Sequence, residues 1–145
     1  MRQGIQHFRV AARDGGGEVC ASSAGYVVDT TSRLAYRAYD VASQAIQLFV
    51  YEPSNRTTRQ LSAAPFGSAG VGELTWSPNG RLLAYTQFVT PYDDQVGSTF
   101  VVRVDGSTPP VSVGDIASRP NATEDLIWSA AGDALAFPGR VGFDY

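Results

Sequence analysis

The sequence contains few of the residues that nucleophilic catalysis requires. It has one His, His7, and one Cys, Cys20, among its 145 residues. A catalytic nucleophile needs a base within hydrogen-bonding distance, but both residues lie in segments that predict β-strands, and no Ser lies in a Gly-x-Ser-x-Gly elbow. We therefore expect both to be packed structural residues, and the sequence predicts no catalytic residue.

The side chains that bind metals and phosphates are equally scarce. One His and one Cys cannot supply a zinc site from a single chain. Carboxylates together with loop oxygens could hold Ca²⁺, but no EF-hand or Gly-Asp repeat loop is present. The absence of Lys removes Schiff-base chemistry and any phosphate-binding loop ending in Gly-Lys. We expect no cofactor and no resident metal, and calcium has no motif in its support.

Charge and hydrophobicity narrow the classes of partner that the chain could bind. The formal net charge is −3, and the 11 basic residues are all Arg and are scattered singly. Nucleic acids and anionic membranes both attract clustered positive charge, so neither is an expected partner. No apolar run approaches the roughly 18 residues that cross a bilayer, and residues 1–10 lack the features of a secretion signal. The chain is cytoplasmic, or a signal was removed before this numbering begins.

An internal repeat organises the chain. The stretch LTWSPNGRLLAY, residues 74–85, resembles LIWSAAGDALAF, residues 126–137, and a degenerate third copy ends at Ala35-Tyr36. The aromatic residues that close the copies are 85 − 36 = 49 and 137 − 85 = 52 residues apart. Periods of this length are typical of propellers and solenoids. Trp76 and Trp128 share one repeat position, so we expect them to pack between neighbouring repeats rather than to stack on a sugar.

Each period predicts four strands, which is the content of a propeller blade. Residues 73–77 and 81–88 form a hairpin around Pro78-Asn79-Gly80, because Pro fixes φ and Asn-Gly tolerates a positive φ. Residues 99–104 and 111–113 form the second pair, as residues 46–51 and 58–61 do one period earlier. Residues 41–51 also fit an amphipathic helix, but the matching segment contains Pro and Gly, so we expect a loop over 41–45. Ser77, Pro78, Gly80 and Gly132 are then structural turn residues.

The two ends of the chain predict the two halves of one further blade. Residues 5–11 and 18–21, around a turn at 13–17, resemble a third and a fourth strand, whereas the last repeat supplies only the first two. The whole chain, residues 1–145, is then a single all-β propeller module of about three blades, permuted by half a blade. Residues 1–24 are the outer strands of the split blade, 25–62 the first blade, 63–114 the second, and 115–145 the inner strands.

The motif W76-S-P-N-G-R-L-L-A-Y85 resembles the Trp-Ser-Pro-Asp-Gly signature of TolB-like propeller repeats, also called WD40-like beta repeats. Asn79 stands where that family usually has Asp, and W128-S-A-A-G132 keeps only the Trp, Ser and Gly. The resemblance implies a six-bladed ring and a periplasmic or extracellular location. It implies little about function, since such propellers occur in TolB itself, as gating domains of prolyl-oligopeptidase-type peptidases and as scaffolds.

Three blades cannot close a ring, which predicts a partner for the chain. We expect a two-fold homodimer in which the N-terminal strands of each copy complete the half blade of the other, giving six blades. Closure would also remove exposed strand edges. The alternative is a piece of a longer repeat protein, completed by a neighbouring chain or by further residues.

The loops carry the candidate binding residues. In a propeller the connections from second to third strand, and from fourth strand to the next blade, lie on one face. Each connection from second to third strand carries an aromatic residue beside an acid. Together these residues would form a rim around the channel that could hold a cation or an Arg- or Lys-bearing peptide. The connections from the fourth strand to the next blade contain Phe66 and Arg119, which are candidate interface anchors. The candidate rim residues are Tyr39, Asp40, Tyr92, Asp93, Asp94, Phe143, Asp144 and Tyr145.

The sequence therefore favours a non-catalytic binding or scaffold protein that recognises a protein or peptide through this loop face. One alternative is a propeller fragment that gates substrate access to a peptidase or hydrolase. Another is a carbohydrate- or cation-binding, lectin-like ring.

Overall fold

The computed structural model describes residues 11–14, 17–20, 27–28, 33–89, 96–117 and 126–137, and within them every regular element is a β-strand. The all-β class expected from the sequence is confirmed. A search of the described residues for a helix of membrane-spanning length and hydropathy finds none. The strands are β1 (Ala11–Asp14), β2 (Gly17–Cys20), β3 (Val27–Val28), β4 (Leu34–Asp40), β5 (Ala45–Glu52), β6 (Thr57–Gln60), β7 (Gly70–Trp76), β8 (Leu82–Phe88), β9 (Val96–Arg103), β10 (Val111–Ala117), β11 (Ile127–Trp128) and β12 (Leu135–Ala136).

The central part of the chain forms two four-stranded antiparallel units. The first unit is β3-β4-β5-β6, and the second is β7-β8-β9-β10, each with its strands side by side in chain order. The middle strands of both units pair two aromatic residues across the ladder. Tyr36 stands opposite Phe49 with ring centroids 5.6 Å apart, and Tyr85 stands opposite Phe100 at 5.5 Å. Such cross-strand aromatic pairs stabilise and fix the strand register.

The two units pack face to face through the hydrophobic core. Because side chains alternate between the faces of a strand, Leu48 and Val50 of β5 meet Leu83 and Tyr85 of β8 in one buried cluster. Leu48, Leu83 and Tyr85 are each at most 1% exposed. The cluster of buried residues comprises Ala35, Leu48, Val50, Leu61, Val71, Trp76, Leu83, Tyr85, Val102 and Val104.

Among the described residues, strand pairing between the two units is limited to one point. A single parallel bridge joins Ile46 of β5 to Gly70 of β7. Side chains reinforce it, because Arg37 donates to the carbonyl of Gly72 at 2.8 Å and Arg33 donates to that of Gly80 at 2.6 Å. The Arg33 guanidinium also lies 5.4 Å from the ring centroid of Trp76, a cation–π geometry.

Two hairpin turns at one end of the molecule use a serine hydroxyl in the same way. The turn after Trp76 has Ser77 Oγ accepting from the amide of Leu82 at 3.0 Å, and Gly80 has a φ of 67°. In the turn after Trp128, Ser129 Oγ accepts from the amide of Ala134 at 3.1 Å, and Gly132 has a φ of 74°. The residues predicted as structural turn residues thus lie in turns, with their polar atoms engaged locally.

Two short hairpins complete the described strands. In the first, β1 pairs with β2, and in the second, β11 pairs with β12. The second hairpin packs on the face of the second unit that is turned away from the first. There Trp128 Nε1 donates to the carbonyl of Thr75 at 3.4 Å, and the Phe137 ring lies so close to Gly114 that a Cβ there would come within 2.8 Å of it.

Most predicted strands are present, with different bounds. β7 and β9 each begin three residues before the positions expected, and β10 continues to Ala117 past a bulge between Ser112 and Gly114. The turn expected at 13–17 is shorter, because Arg13 pairs with Glu18 and Asp14 with Gly17 in the ladder. The expected loop over 41–45 is a turn at 41–44, and β5 starts at Ala45. Of the predicted strand 5–11, only Ala11 is described.

Two glycines near the bridge provide a matched stability test. Gly67 and Gly70 both have a positive φ, of 70° and 79°, but a Cβ at Gly67 meets no atom within 4 Å, whereas one at Gly70 would overlap the backbone of Ile46. Gly67→Ala should cost about 1 kcal/mol for the backbone conformation alone. Gly70→Ala should cost about 3 kcal/mol, because the bridge must also separate. Urea unfolding measures both, and equal losses would contradict the proposed clash.

Candidate functional site

Loops collect at one end of the two units, and tight turns at the other. The turn Val41–Gln44 joins β4 to β5, and residues 61–69 join β6 to β7 at the same end. Strand β8 ends here with Phe88, and Val89 follows it. We call residues 39–44, residues 61–69 and Val89 together the loop face. Recognition residues are commonly carried on loops that a rigid scaffold positions.

Asp40 closes the turn between β4 and β5. Its Oδ2 accepts hydrogen bonds from the Ser43 hydroxyl at 2.6 Å and from the Ser43 amide at 2.8 Å. These bonds stabilise the ionised form, so the hydroxyl of Ser43 first, and its amide second, lower the pKa of Asp40 below 3.8. Asp40 is therefore a turn-capping carboxylate that carries its negative charge near neutral pH.

A buried amide joins the two segments of the loop face. Gln47 of β5 is 1% exposed. Its Nε2 donates to the Ser43 hydroxyl and to the Ala64 carbonyl, both at 3.0 Å, and its Oε1 accepts from the Ser62 hydroxyl at 2.6 Å and from the Ala64 amide at 2.9 Å. All four hydrogen-bonding positions of the amide are thus occupied. This network fixes the turn 41–44 against the segment 61–69.

Backbone geometry supports the same junction. Gln44 has a φ of 49°, which is uncommon for a residue other than glycine. The neighbouring amide of Gly67 donates to the Ser43 carbonyl at 3.0 Å. Local strain of this kind persists where the surroundings determine the conformation, and here Gln47 and Asp40 supply those surroundings.

The loop face carries most of the exposed apolar side chains. Seven large apolar side chains of the described residues are exposed, and four of them belong to this face. They are Tyr39 at 61%, Val41 at 80%, Phe66 at 71% and Val89 at 51% exposed. Single exposed apolar residues need no explanation, but a cluster at one end is typical of an interaction surface.

Of the ten residues expected to bind through the loop face, the structure describes three, namely the rim residues Tyr39 and Asp40 and the anchor Phe66, all at the loop end. His7 lies outside the described residues, and Cys20 lies in β2 as its sequence context predicts. The sequence analysis missed Val41 and Val89, because a single valine beside a turn has no distinguishing pattern. The other seven expected binding residues, six of the rim and the anchor Arg119, fall outside the described residues: Tyr92, Asp93, Asp94, Arg119, Phe143, Asp144 and Tyr145.

Carboxylates at the opposite end serve the turns in which they stand. Asp105 accepts from Arg103 Nη2 at 2.7 Å and from the Ser107 hydroxyl at 2.6 Å, and Arg103 first, then Ser107, lower its pKa. Asp133 accepts from the Ser129 hydroxyl at 2.6 Å, which lowers its pKa as well. Within the part of the chain that the structure describes, no three His, Cys, Asp or Glu side chains are grouped as metal ligands.

The tryptophans of the sequence repeat lie at sheet interfaces. Trp76 is 8% exposed in the core between the two units, and Trp128 is half-buried against β7. The burial of Trp76 leaves its indole no exposed face for a sugar. No protein-family model matches the chain, and no curated protein matches it significantly.

The Gln47 network predicts that loss of this one side-chain amide lowers the stability of the protein and loosens the loop face. Gln47→Ala should destabilise the protein by about 2–3 kcal/mol, because the amide and carbonyl of Ala64 lose their buried partner. Amide hydrogen exchange at Ala64 and Gly67 should become faster. Gln60→Ala is the matched control, since Gln60 is exposed and makes one bond, to the Ser62 carbonyl; its cost should stay within about 0.5 kcal/mol. Equal effects of the two substitutions would contradict the role given to Gln47.

Asp40 predicts a pH dependence of stability. Because its pKa is lower in the folded chain, its contribution is complete above the ordinary Asp value of about 3.9 and is lost as the pH falls through the folded value. Asp40→Asn and Ser43→Ala should both reduce the difference between the urea midpoints measured at about pH 6 and about pH 2.5. An unchanged difference in both variants would show that this hydrogen bond does not favour the ionised carboxylate.

Proposed function

We propose that this chain is a non-catalytic binding or scaffold module of β-propeller architecture, which recognises a protein or peptide through its loop face. The observation that carries the proposal is the cluster of Tyr39, Val41, Phe66 and Val89, all more than half exposed at one end of the molecule. The described core, in contrast, is closed by packed side chains.

The architecture supports this assignment. Two four-stranded antiparallel units with strands in chain order, packed face to face, have the form of adjacent propeller blades. The Trp-Ser-Pro-Asn-Gly motif of residues 76–80 lies between them at the inner hairpin of the second unit, where a TolB-like repeat would use it as a structural element. In this proposal the first and second units are two blades, and β11–β12 begins a third.

The loop face is suited to a ligand with both apolar and basic groups. Tyr39 and Phe66 offer large, rigid aromatic surfaces of the kind that anchor protein interfaces. Asp40 adds a negative charge beside Tyr39. The rim residues Tyr92, Asp93 and Asp94, together with Phe143, Asp144 and Tyr145, would extend this combination of aromatic and acidic groups. An Arg- or Lys-bearing segment could then pair its charge with the acids and stack on the rings.

The rigidity of the face favours tight recognition. The Gln47 network and the Asp40 cap hold both loop segments in one conformation, so binding would cost little additional ordering. Two flexible loops would instead lose part of the binding free energy to the entropic cost of becoming ordered. The scaffold role thus follows from the strands, and the recognition role from the loops above them.

A peptide-display experiment tests the proposal. Random twelve-residue peptides are selected on the immobilised protein, and we expect enrichment of peptides that combine Arg or Lys with apolar residues. Tyr39→Ala combined with Phe66→Ala should weaken the selected peptides by about tenfold or more. Ile127→Ala, which removes an exposed apolar side chain outside the loop face, is the matched control and should leave binding unchanged.

The rim is tested separately. Tyr92→Ala combined with Asp93→Ala should weaken the same peptides, and binding unchanged in this variant would remove the rim from the site. Equal binding by the Tyr39/Phe66 variant and the original protein would contradict the proposal that the loop face binds the peptide. Selection that yields no enriched peptide would contradict peptide recognition as the function.

A further inference from the structure

A second surface, away from the loop face, is an apolar groove between the second unit and the hairpin β11–β12. Its volume is about 640 Å³. Most of its walls come from aliphatic and aromatic side chains of β8, β9, β10 and the hairpin, and the large apolar members are Leu82, Val101, Val111, Val113, Trp128, Leu135 and Phe137. An apolar groove of this size between a sheet and a two-stranded hairpin has room for the inward-facing side chains of a further strand.

The corresponding place on the first unit is filled. Phe49 and Phe100 hold the same position in their units, so Val50 corresponds to Val101. Leu61 follows Gln60, which stands opposite Phe49, and the bulged Val113 follows Ser112, which stands opposite Phe100. Val50 and Leu61 are each 5% exposed, because Val102 and Val104 of the second unit pack on them. Val113 is 44% exposed and its neighbour Val111 is 59% exposed. The difference is the strand β9, which covers the first unit, whereas none of the described strands covers the second unit in the same way.

The outer edge of β12 is open in the same place. Strands β4 and β8 are paired on both sides, whereas β12 is paired only with β11 among the strands that the structure describes. In the two units, the aromatic residue of this strand stacks on a phenylalanine of the third strand, as Tyr36 does on Phe49 and Tyr85 on Phe100. Phe137 closes the matching sequence repeat, and its ring lies in the groove wall.

We propose that the groove is the docking site for the N-terminal segment of a second copy of this chain, residues 5–14, which adds a strand to β12 with its Phe8 stacked on Phe137. Exposed strand edges commonly accept an extended segment in this way, and side chains alternating along it give the specificity. In the second unit Phe100 is followed by Val102 and Val104 on the packed face. In the N-terminal segment Phe8 is followed by Val10 and Ala12 at the same spacing.

The hairpin β1–β2 agrees with this role. Residues 11–14 pair antiparallel with residues 17–20, as a third and fourth strand must. The two strands would cover both parts of the groove: β1, continuing from Phe8 and Val10, beside β12, and β2 beyond it. The apolar lining contributed by Val111 and Val113 would then be buried as Leu61 is in the first unit.

The position of the segment favours a second copy over the same chain. Only residues 21–26 separate β2 from β3 of the first unit, and they reach at most about 25 Å when fully extended. The second unit stands between the first unit and the groove. Packed sheets lie about 10 Å apart, so the segment of the same chain would have to cross two sheet spacings and pass around an edge. A two-fold partner brings each segment to the other's groove, and both grooves are filled at once.

Solution mass is the first test. Native mass spectrometry of the protein should give twice the chain mass, 2 × 15.5 = 31.0 kDa. Phe8→Ala and Phe137→Ala should each raise the dissociation constant of the dimer about tenfold or more. Phe66→Ala removes an exposed Phe from the loop face and is the matched control, so it should leave the dimer intact. This control also separates the groove from the proposed peptide site, because only Phe66→Ala should affect peptide binding.

A cross-link tests the register, and it does not depend on the effect of an alanine on folding. Opposed residues of antiparallel strands are about 4.5–5.5 Å apart at Cα, within the range that a disulfide bridges. In a Cys20→Ser background, a chain carrying Phe8→Cys is mixed with one carrying Phe137→Cys, and oxidation should give a covalent 31.0 kDa pair, twice 15.5 kDa. Phe66→Cys in place of Phe137→Cys should give none.

Three results would overturn the proposal. The first is a mass of 15.5 kDa at every concentration tested. The second is a dimer that neither Phe8→Ala nor Phe137→Ala weakens and that does not form the cross-link. The third is a disulfide within one chain when both cysteines are placed together, since the segment would then occupy its own groove.

Discussion

The packing of β5 against β8 is the contact on which the rest of the fold depends. Leu48 and Leu83 are fully buried between the two units, and Tyr85 beside them is 1% exposed. Burial raises the pKa of the Tyr85 phenol, so the ring is held in the core as a neutral group. Because one backbone bridge joins the units, these side chains determine where the second unit stands relative to the first. The loop face, which draws its residues from both units, takes its shape from that placement.

The backbone hydrogen-bonding groups of the connecting segments find their partners in different ways at the two ends of the molecule. At the turn end, serine, asparagine or aspartate side chains satisfy backbone groups of the tight turns locally. At the loop end, the segment 61–69 is too long for such a solution, and Gln47 reaches out of the sheet to satisfy it. A buried amide with all its bonds made gives one conformation and a firm support for exposed side chains. The end with the longer connections is therefore the better platform for recognition.

Local chemistry explains which parts of the fold the sequence could predict. The hairpin at residues 77–81 followed from Pro and Asn-Gly, and the aromatic residues marked the middle strands, since both signals act within a few residues. The early starts of β7 and β9 could not be predicted, because Gly70, Gly72 and Gly97 suggest loop, yet each lies where a neighbour leaves no room for a side chain. That crowding comes from Ile46 at Gly70, from Thr86 and Phe88 at Gly72, and from Gln87 and Phe88 at Gly97. Such contacts lie outside the local sequence window and have no local signature.

The same reasoning applies to the candidate site. Tyr39 and Phe66 were predicted because large aromatic residues in loops stand out, whereas Val41 and Val89 resemble ordinary loop residues. Asp40 was predicted as a free rim acid, but its carboxylate also caps the turn through Ser43, a second role that only the folded geometry reveals. Buried Gln47 lies in β5 beside buried apolar residues such as Ala45 and Leu48, and its importance depends on a loop 17 residues further on.

The single bridge between Ile46 and Gly70 has a consequence for how such a chain can vary. In most large sheets a continuous ladder of backbone bonds fixes the angle between successive strands. Here each unit completes its own ladder, and the angle between the units is set by the volumes of the side chains that separate them. Replacing a leucine by a smaller or larger residue at that interface would tilt one unit against the other without breaking a strand. The angle between the two units is thus a property of side-chain size, and it can be adjusted by substitution while every strand keeps its register.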